Sequence, residues 1–205
     1  TDILKLGSSG NFGYNLDEAG FVMNSSTDKF LTNAPTTQYI RINDYQTLSF
    51  FSQYNFDFLV GGSGTTHPSV KTIQIQFYYN GSTTGSLITK TILPSTGGHS
   101  GYMNDSNTKI QFAGIGTGNL VGAGETVPTN WDYYTVKALD DNANVISDTY
   151  NFYKQDEDCK EYETIRLTWL NKFGVWDYYN FTKKSVRTFN TKRKSYTQIT
   201  GTWNT

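Results

Sequence analysis

The stretch Lys71-Thr72-Ile73-Gln74-Ile75-Gln76-Phe77-Tyr78-Tyr79-Asn80-Gly81 decides the fold. Ile73, Ile75 and Phe77 fall on one side of an extended chain, and Thr72, Gln74 and Gln76 on the other. That period of two is the pattern of a sheet with one wet face. Asn80-Gly81 then gives a hairpin turn, and Leu87 to Leu93 reads as the returning strand. A second clean alternation runs from Trp131 to Leu139, with Tyr134, Val136 and Ala138 on one side. The polar turn Asp140-Asp141-Asn142-Ala143-Asn144 follows, and Val145 to Tyr153 returns.

Composition agrees with strands. The 205 residues include 29 Thr but only 6 Ala and 5 Glu. Thr and aromatic residues suit a pleated, half-buried surface, whereas Ala and Glu favour helices. Aromatics reach 16% and the formal net charge is -1. Such a chain can bury a core, unlike a disordered one. No window approaches 18 consecutive apolar residues, so no membrane-spanning helix is expected.

Further strands read at Tyr39 to Ile42, Leu48 to Val60 and Lys109 to Ala113. Residues 1–36, rich in Gly, Ser and Asn, read as an extended arm or a loosely packed edge. About seven strands with frequent turns then occupy 37–154. The segment Tyr133 to Asn144 resembles the last hairpin of immunoglobulin-like and fibronectin type III sandwiches. The expectation is an all-β chain: an immunoglobulin/fibronectin III-like antiparallel β-sandwich over 37–154, followed by a second, smaller β-unit over 160–205. In that unit Thr164 to Leu170 alternates, Asn171 to Gly174 turns, Val175 to Lys183 returns, and Arg187 to Ile199 continues the meander. Trp-Asp-Tyr-Tyr occurs at 131–134 and again at 176–179. A four-residue match is what aromatic-rich strands generate without duplication.

Catalytic and cofactor patterns fail one by one. The glycine-rich run from Gly114 to Gly124 is followed by Glu125 and Thr126, so a P-loop's lysine is missing, and Val121 stands where a dinucleotide fingerprint needs its third glycine. That run reads as a mobile surface loop or a contact with a neighbouring subunit. Ser63 and Ser100 each lack one glycine of a nucleophile elbow. His67 and His99 sit in polar loops. The pairs Asp140/Asp141 and Asp156/Asp158 read as turn carboxylates rather than a hydrolytic pair. Asp140 to Asn144 is the best calcium candidate, without an EF-hand pattern. Cys159 is the single cysteine, which precludes an internal disulfide, and it reads as a buried or idle thiol. Sequons at Asn24, Asn80, Asn104 and Asn180 are expected by chance in a chain this rich in Asn, Ser and Thr. No enzyme activity, cofactor or metal is expected.

Charge is segregated. Residues 155–163 hold five acids, while Lys183, Lys184, Arg187, Lys192, Arg193 and Lys194 give the C-terminal segment six positive charges and no acid. A solvated face or an acidic neighbour explains this better than nucleic acid does, so no nucleic-acid partner is expected.

The most distinctive run is Cys159-Lys160-Glu161-Tyr162-Glu163-Thr164-Ile165-Arg166-Leu167-Thr168-Trp169-Leu170-Asn171-Lys172-Phe173-Gly174-Val175-Trp176-Asp177-Tyr178-Tyr179-Asn180-Phe181-Thr182-Lys183-Lys184-Ser185, with Gly201-Thr202-Trp203-Asn204 beyond it. This segment, 159–204, resembles virion structural proteins of tailed bacteriophages, particularly phages of marine bacteria. The resemblance implies a tail, baseplate, neck or fibre-associated component of the virion, assembled in the host cytoplasm. Its partners would be other virion proteins, including further copies of itself, and it implies no catalytic residues. In that family the chain continues past this point, so a chain running from Thr1 to Thr205 reads as a fragment or a processed form.

Ile165, Leu167 and Trp169 share one face of a strand, and Trp176 and Tyr178 one face of the next. Two such strands around a four-residue turn can set aromatic cross-strand pairs. Trp169, Trp176, Tyr178 and Tyr179 are the interface candidates, because Tyr and Trp are favoured where subunits meet. The competing reading is a carbohydrate-binding sandwich, in which exposed Tyr78, Tyr79, Trp131 and Tyr133 would stack on sugar rings. A host glycan would then be a partner as well.

Overall fold

The computed structural model describes residues 23, 25–51, 70–92, 110–155, 165–181 and 188–195. Nine strands and one short helix lie among them: β1 (Thr37–Ile40), β2 (Thr47–Phe51), β3 (Thr72–Tyr79), β4 (Ser82–Thr91), β5 (Ile110–Gly114), α1 (Thr117–Gly122), β6 (Tyr133–Leu139), β7 (Tyr150–Lys154), β8 (Ile165–Leu170) and β9 (Trp176–Phe181). Among the described residues the fold is all-β apart from that helical turn and a half.

Alternation produces the central sheet. Ile73, Ile75 and Phe77 of β3 and Tyr134, Val136 and Ala138 of β6 are all buried, while the residues between them are partly wet. Asn80 and Gly81 both take positive φ, 49° and 75°, the requirement of a tight turn matched to strand twist. The chain therefore reverses at once, and β4 begins at Ser82, earlier than the apolar pattern at Leu87 suggested. The five strands run in the order β1-β7-β6-β3-β4, antiparallel throughout except for parallel β1 and β7.

β2 and β5 form a separate antiparallel pair. Leu48 and Phe50 of β2 and Ala113 of β5 join the sheet residues in one apolar cluster, with Met23 and Phe30 in it too. From residue 25 on, the segment read as an arm or edge carries no strand but is anchored. Phe30 meets Phe50 and Tyr150 edge to face, with ring centroids at 6.3 and 5.2 Å.

The glycine-rich run is a packed corner, which corrects its reading as a mobile surface loop. Ile115, Gly116, Thr117, Gly118 and Leu120 are buried. A β-carbon on Gly116 would lie 2.3 Å from the Asp44 carbonyl oxygen, and one on Gly118 would lie 2.5 Å from that of Asn43. Gly116 and Gly118 serve close backbone approach, not mobility. They clamp the loop 41–46, which runs between β1 and β2. The Asn43 amide donates to Thr117 Oγ1 at 2.9 Å, the Gln46 amide to Asn119 Oδ1 at 2.7 Å, and the Gly118 amide to the Asp44 carbonyl at 3.0 Å.

β8 and β9 form the last hairpin around the turn Asn171–Gly174. Its turn covers the outer side of the β2–β5 pair, where Leu31, Phe51 and Val175 make a second small cluster with Ile110, Phe112 and Phe173 against it. Residues 188–195 are exposed and without regular structure, so the expected continuing meander is absent there. Thr188 to Ser195 holds Phe189 alone among polar and basic residues, which leaves no apolar face to bury. Residues 1–22, the acidic run 156–164 with Cys159, Ser63, Ser100, His67, His99 and the Gly201–Asn204 string lie outside the described residues.

Candidate functional site

The β8–β9 hairpin carries all four interface candidates, but on two faces. Trp169 stands opposite Asp177, Leu170 opposite Trp176, Thr168 opposite Tyr178 and Leu167 opposite Tyr179. Trp169 and Tyr179 therefore share one face, and Trp176 and Tyr178 the other. The expected aromatic cross-strand pairs are not made. The four-residue turn sets this register, and a shift of one residue would have reversed it. Aromatic contact instead runs along β9, where Tyr179 and Phe181 meet edge to face at 4.9 Å. Much of this apolar surface is open. Leu170 is 60% exposed and Trp176 52%, with Leu167 and Phe181 close behind.

Polar groups hold the hairpin in place. Asp177 is buried, and its carboxylate accepts from Thr32 Oγ1 at 2.6 Å and from the Asn33 amide at 2.8 Å. Asn171 donates from Nδ2 to the Leu31 carbonyl at 2.9 Å, while its Oδ1 accepts the amides of Phe173 and Val175 and closes the turn. At the far end Asp44 Oδ2 accepts from Arg166 Nη1 and Asn180 Nδ2, each at 2.8 Å, and from the Arg41 amide at 3.1 Å. Arg166 also donates to the Tyr45 carbonyl, and Asn180 to the Tyr39 carbonyl. The Arg166 guanidinium lies over the Tyr178 ring, 5.1 Å from its centroid. None of these was read from the sequence as an anchor; Asn171 was read as a turn residue and Asn180 as a chance sequon. The signal was there: Asp177 and Asn180 are the polar residues of an otherwise aromatic strand.

The repeated tetrapeptide makes the same point. At 131–134 the Trp is buried and the Asp exposed; at 176–179 the Trp is exposed and the Asp buried. Trp131, read as a sugar-stacking ring, is therefore a correction. It is 3% exposed, packed edge to face on Phe77 and Tyr134 at 5.6 and 5.7 Å, with Lys154 Nζ over its ring. The hydrophobic interior outcompetes solvent for so large a ring. Tyr79 is half exposed at the end of β3. Tyr78 and Tyr133 lie on the outer face of the five-stranded sheet, stacked at 4.8 Å with planes 5° apart. Tyr153 stacks on the other side of Tyr133 at 5.1 Å. Both faces of the Tyr133 ring are thus occupied. A sugar needs a free ring face, and Tyr133 offers none.

Asp140 and Tyr134 are each held by hydrogen bonds. The Asp140 carboxylate accepts the Asn142 amide, the Asn144 amide and Asn144 Nδ2 at 2.8–3.0 Å. The Asn144 side chain, with those amides, holds its pKa below the usual carboxylate range. The calcium candidate is thus a capped turn, and among the described residues no three His, Cys, Asp or Glu side chains converge to hold a metal. Tyr134 is buried, and its hydroxyl donates to the Ile115 carbonyl at 3.0 Å. Burial first, then the Asp44 charge, push its phenol well above the ordinary range, against a smaller opposing pull from Arg166. Among the described residues no helix is long and apolar enough to cross a membrane.

Compared with protein-family models and with curated proteins, the chain matches none.

Proposed function

We propose that this chain is a non-enzymatic structural component of a bacteriophage virion, acting through subunit interfaces in a tail, baseplate, neck or fibre-associated position. The resemblance of residues 159–204 supports it. The observation that carries it is the state of the β8–β9 hairpin. Polar anchors, buried at Asp177 and partly buried at Arg166, fix its orientation, while Leu167, Leu170, Trp176 and Phe181 stay open on both of its faces. Fixing a hairpin by polar bonds while leaving its apolar side chains in water has a cost, which a partner covering them would offset.

The same reading takes residues 37–154 as an immunoglobulin-like sandwich. Supporting it are the strand order β7-β6-β3-β4 in one sheet, the β2–β5 pair sharing its core, and a buried tyrosine in β6 bonded back to upstream backbone. Such a frame presents edges and hairpins for assembly without needing a cleft.

Mass spectrometry of purified particles of the phage carrying this gene tests the proposal. The chain is expected among the stoichiometric virion proteins. Its absence from particles, with the phage otherwise complete, overturns the reading.

A further inference from the structure

The outer face of the five-stranded sheet carries a ridge beside a trough. Cross-strand register aligns Tyr39 with Tyr153, Tyr153 with Tyr133, and Tyr133 with Tyr78. Their rings stand side by side at 6.1, 5.1 and 4.8 Å across four strands. Two residues along each strand the register aligns Thr37, Asn151, Thr135 and Gln76, all shorter side chains. The row beyond holds Lys137, Gln74 and Thr89. Across these rows Lys137 is the one Lys, Arg, Asp or Glu, and of the ridge rings Tyr39 and Tyr153 are exposed while Tyr78 and Tyr133 are partly so.

We infer that this face is a self-association surface, and that its occupant is a second copy of this chain. The ridge and trough are parallel neighbours about 6.6 Å apart, two residues of strand rise. A two-fold axis lying between them in the interface plane carries each ridge onto the partner's trough. The surface is thus complementary to itself, as a closed dimer contact requires. Ring edges and hydroxyls would meet the Thr, Asn and Gln side chains of the trough. Depletion of charge with enrichment in tyrosine is the composition of an interface centre. Size also suffices. Five strands at about 4.8 Å spacing, over about six residues of rise, give roughly 500 Å2 in plan per copy. Two copies together reach the roughly 1,000 Å2 at which specific contacts begin. The contact is independent of the virion proposal, since it uses the sheet face and not the hairpin.

Sedimentation velocity of the full chain reads it. A dimer with a Kd of about micromolar order is expected. Thr135→Trp, which fills the trough, and Thr135→Arg, which charges it, should each weaken association about tenfold or more. Val121→Ser on the exposed side of α1, 55% exposed and outside both the sheet face and the hairpin, should leave it unchanged. Circular dichroism identifies which Thr135 variants are folded, and the folded ones decide. A wild-type chain that stays monomeric to about 100 µM overturns the inference. So does a dimer that the Thr135 variants leave intact, or one broken by Val121→Ser.

Discussion

Arg166 on β8 and Asp44 in the loop between β1 and β2 are 122 positions apart in the chain and 2.8 Å apart in space. The same Asp44 oxygen takes Asn180 from β9 and the backbone of Arg41. One carboxylate thus joins the last hairpin to a loop that the glycine corner already holds rigid. The bond is directional, so it sets where the hairpin lies as well as whether it stays.

Arg166→Met removes the fork but keeps the stem's apolar bulk. Both partners are partly wet, at 23% and 17% side-chain exposure, so the loss falls below that of a fully buried pair. It should be about 1.5–3 kcal/mol, the range for hydrogen bonds to charged groups. Urea denaturation measures it. Amide exchange in β8 and β9 should quicken before that in β3 and β6, because the hairpin loses an anchor and the main core loses none.

Asp177→Ala strands the Thr32 hydroxyl and the Asn33 amide at the opposite end of the hairpin. A cost of about 2–3 kcal/mol is expected. Limited proteolysis should open the hairpin at protease levels that spare the wild-type chain. An unchanged cleavage pattern would mean that the anchor does not hold the hairpin closed.

The glycine corner separates two roles of one residue type. Gly116→Ala and Gly118→Ala bring a β-carbon against backbone atoms that cannot swing aside. Each should destabilise by about 1–3 kcal/mol or more. Gly122, in the same run, meets nothing within 4 Å and has no positive φ. Gly122→Ala should be neutral or stabilise by about 0.4–1 kcal/mol. Thermal unfolding of the three variants checks the contrast.

These cases mark how far the sequence could be read. β3, β6 and the Asn80-Gly81 turn followed directly, because alternation and positive φ are local properties. β4 was entered late, since Ser82 to Leu87 lies towards the wet edge and shows no alternation; Gly85 there meets Pro128 across the fold. Val145 to Ile146 was counted as strand, but Val145 makes only an isolated bridge to Leu139 and β7 starts at Tyr150. The hairpin at 165–181 was legible as two strands, while its cross-strand partners were not. Register depends on the turn, and anchorage depends on Asp44, which no local pattern connects to Arg166. The tyrosine ridge was hidden for the same reason, because Tyr39, Tyr78, Tyr133 and Tyr153 become neighbours only once four strands are aligned.

Alkaline pH should weaken the fold through Tyr134. Its buried phenol has a folded pKa raised well above its unfolded one. The folded chain then binds more protons than the unfolded chain above the unfolded value of about 10. Stability from this group is fully present below that pH and is lost as pH climbs through the folded value. Tyr150 acts in the same direction, raised by burial and then by the Asp148 charge. Tyr134→Phe should cost about 1 kcal/mol near neutrality by removing the bond to Ile115. It should also flatten the alkaline decline. Denaturation curves between neutral and strongly alkaline pH, for both proteins, read the difference; parallel declines would exclude Tyr134 as a source.

The open hairpin faces make the last prediction. Trp176 and Leu170 sit opposite one another on one face, both more than half exposed and neither part of the two buried clusters. Removing exposed apolar groups from a strand surface changes stability by only about 0.5 kcal/mol. The double variant Trp176→Ser, Leu170→Ser should therefore fold with an almost unchanged Tm and better solubility. If this face is where a virion partner seats, the same variant should be missing from particles, or present at reduced copy number, while its level in infected cells matches the wild type. Truncating a central interface aromatic costs about 2 kcal/mol or more, enough to weaken affinity about thirtyfold. Complementation of a phage lacking the gene, followed by quantitative mass spectrometry of particles, separates the two effects. Full incorporation of a folded double variant would place the partner's contact elsewhere on the molecule.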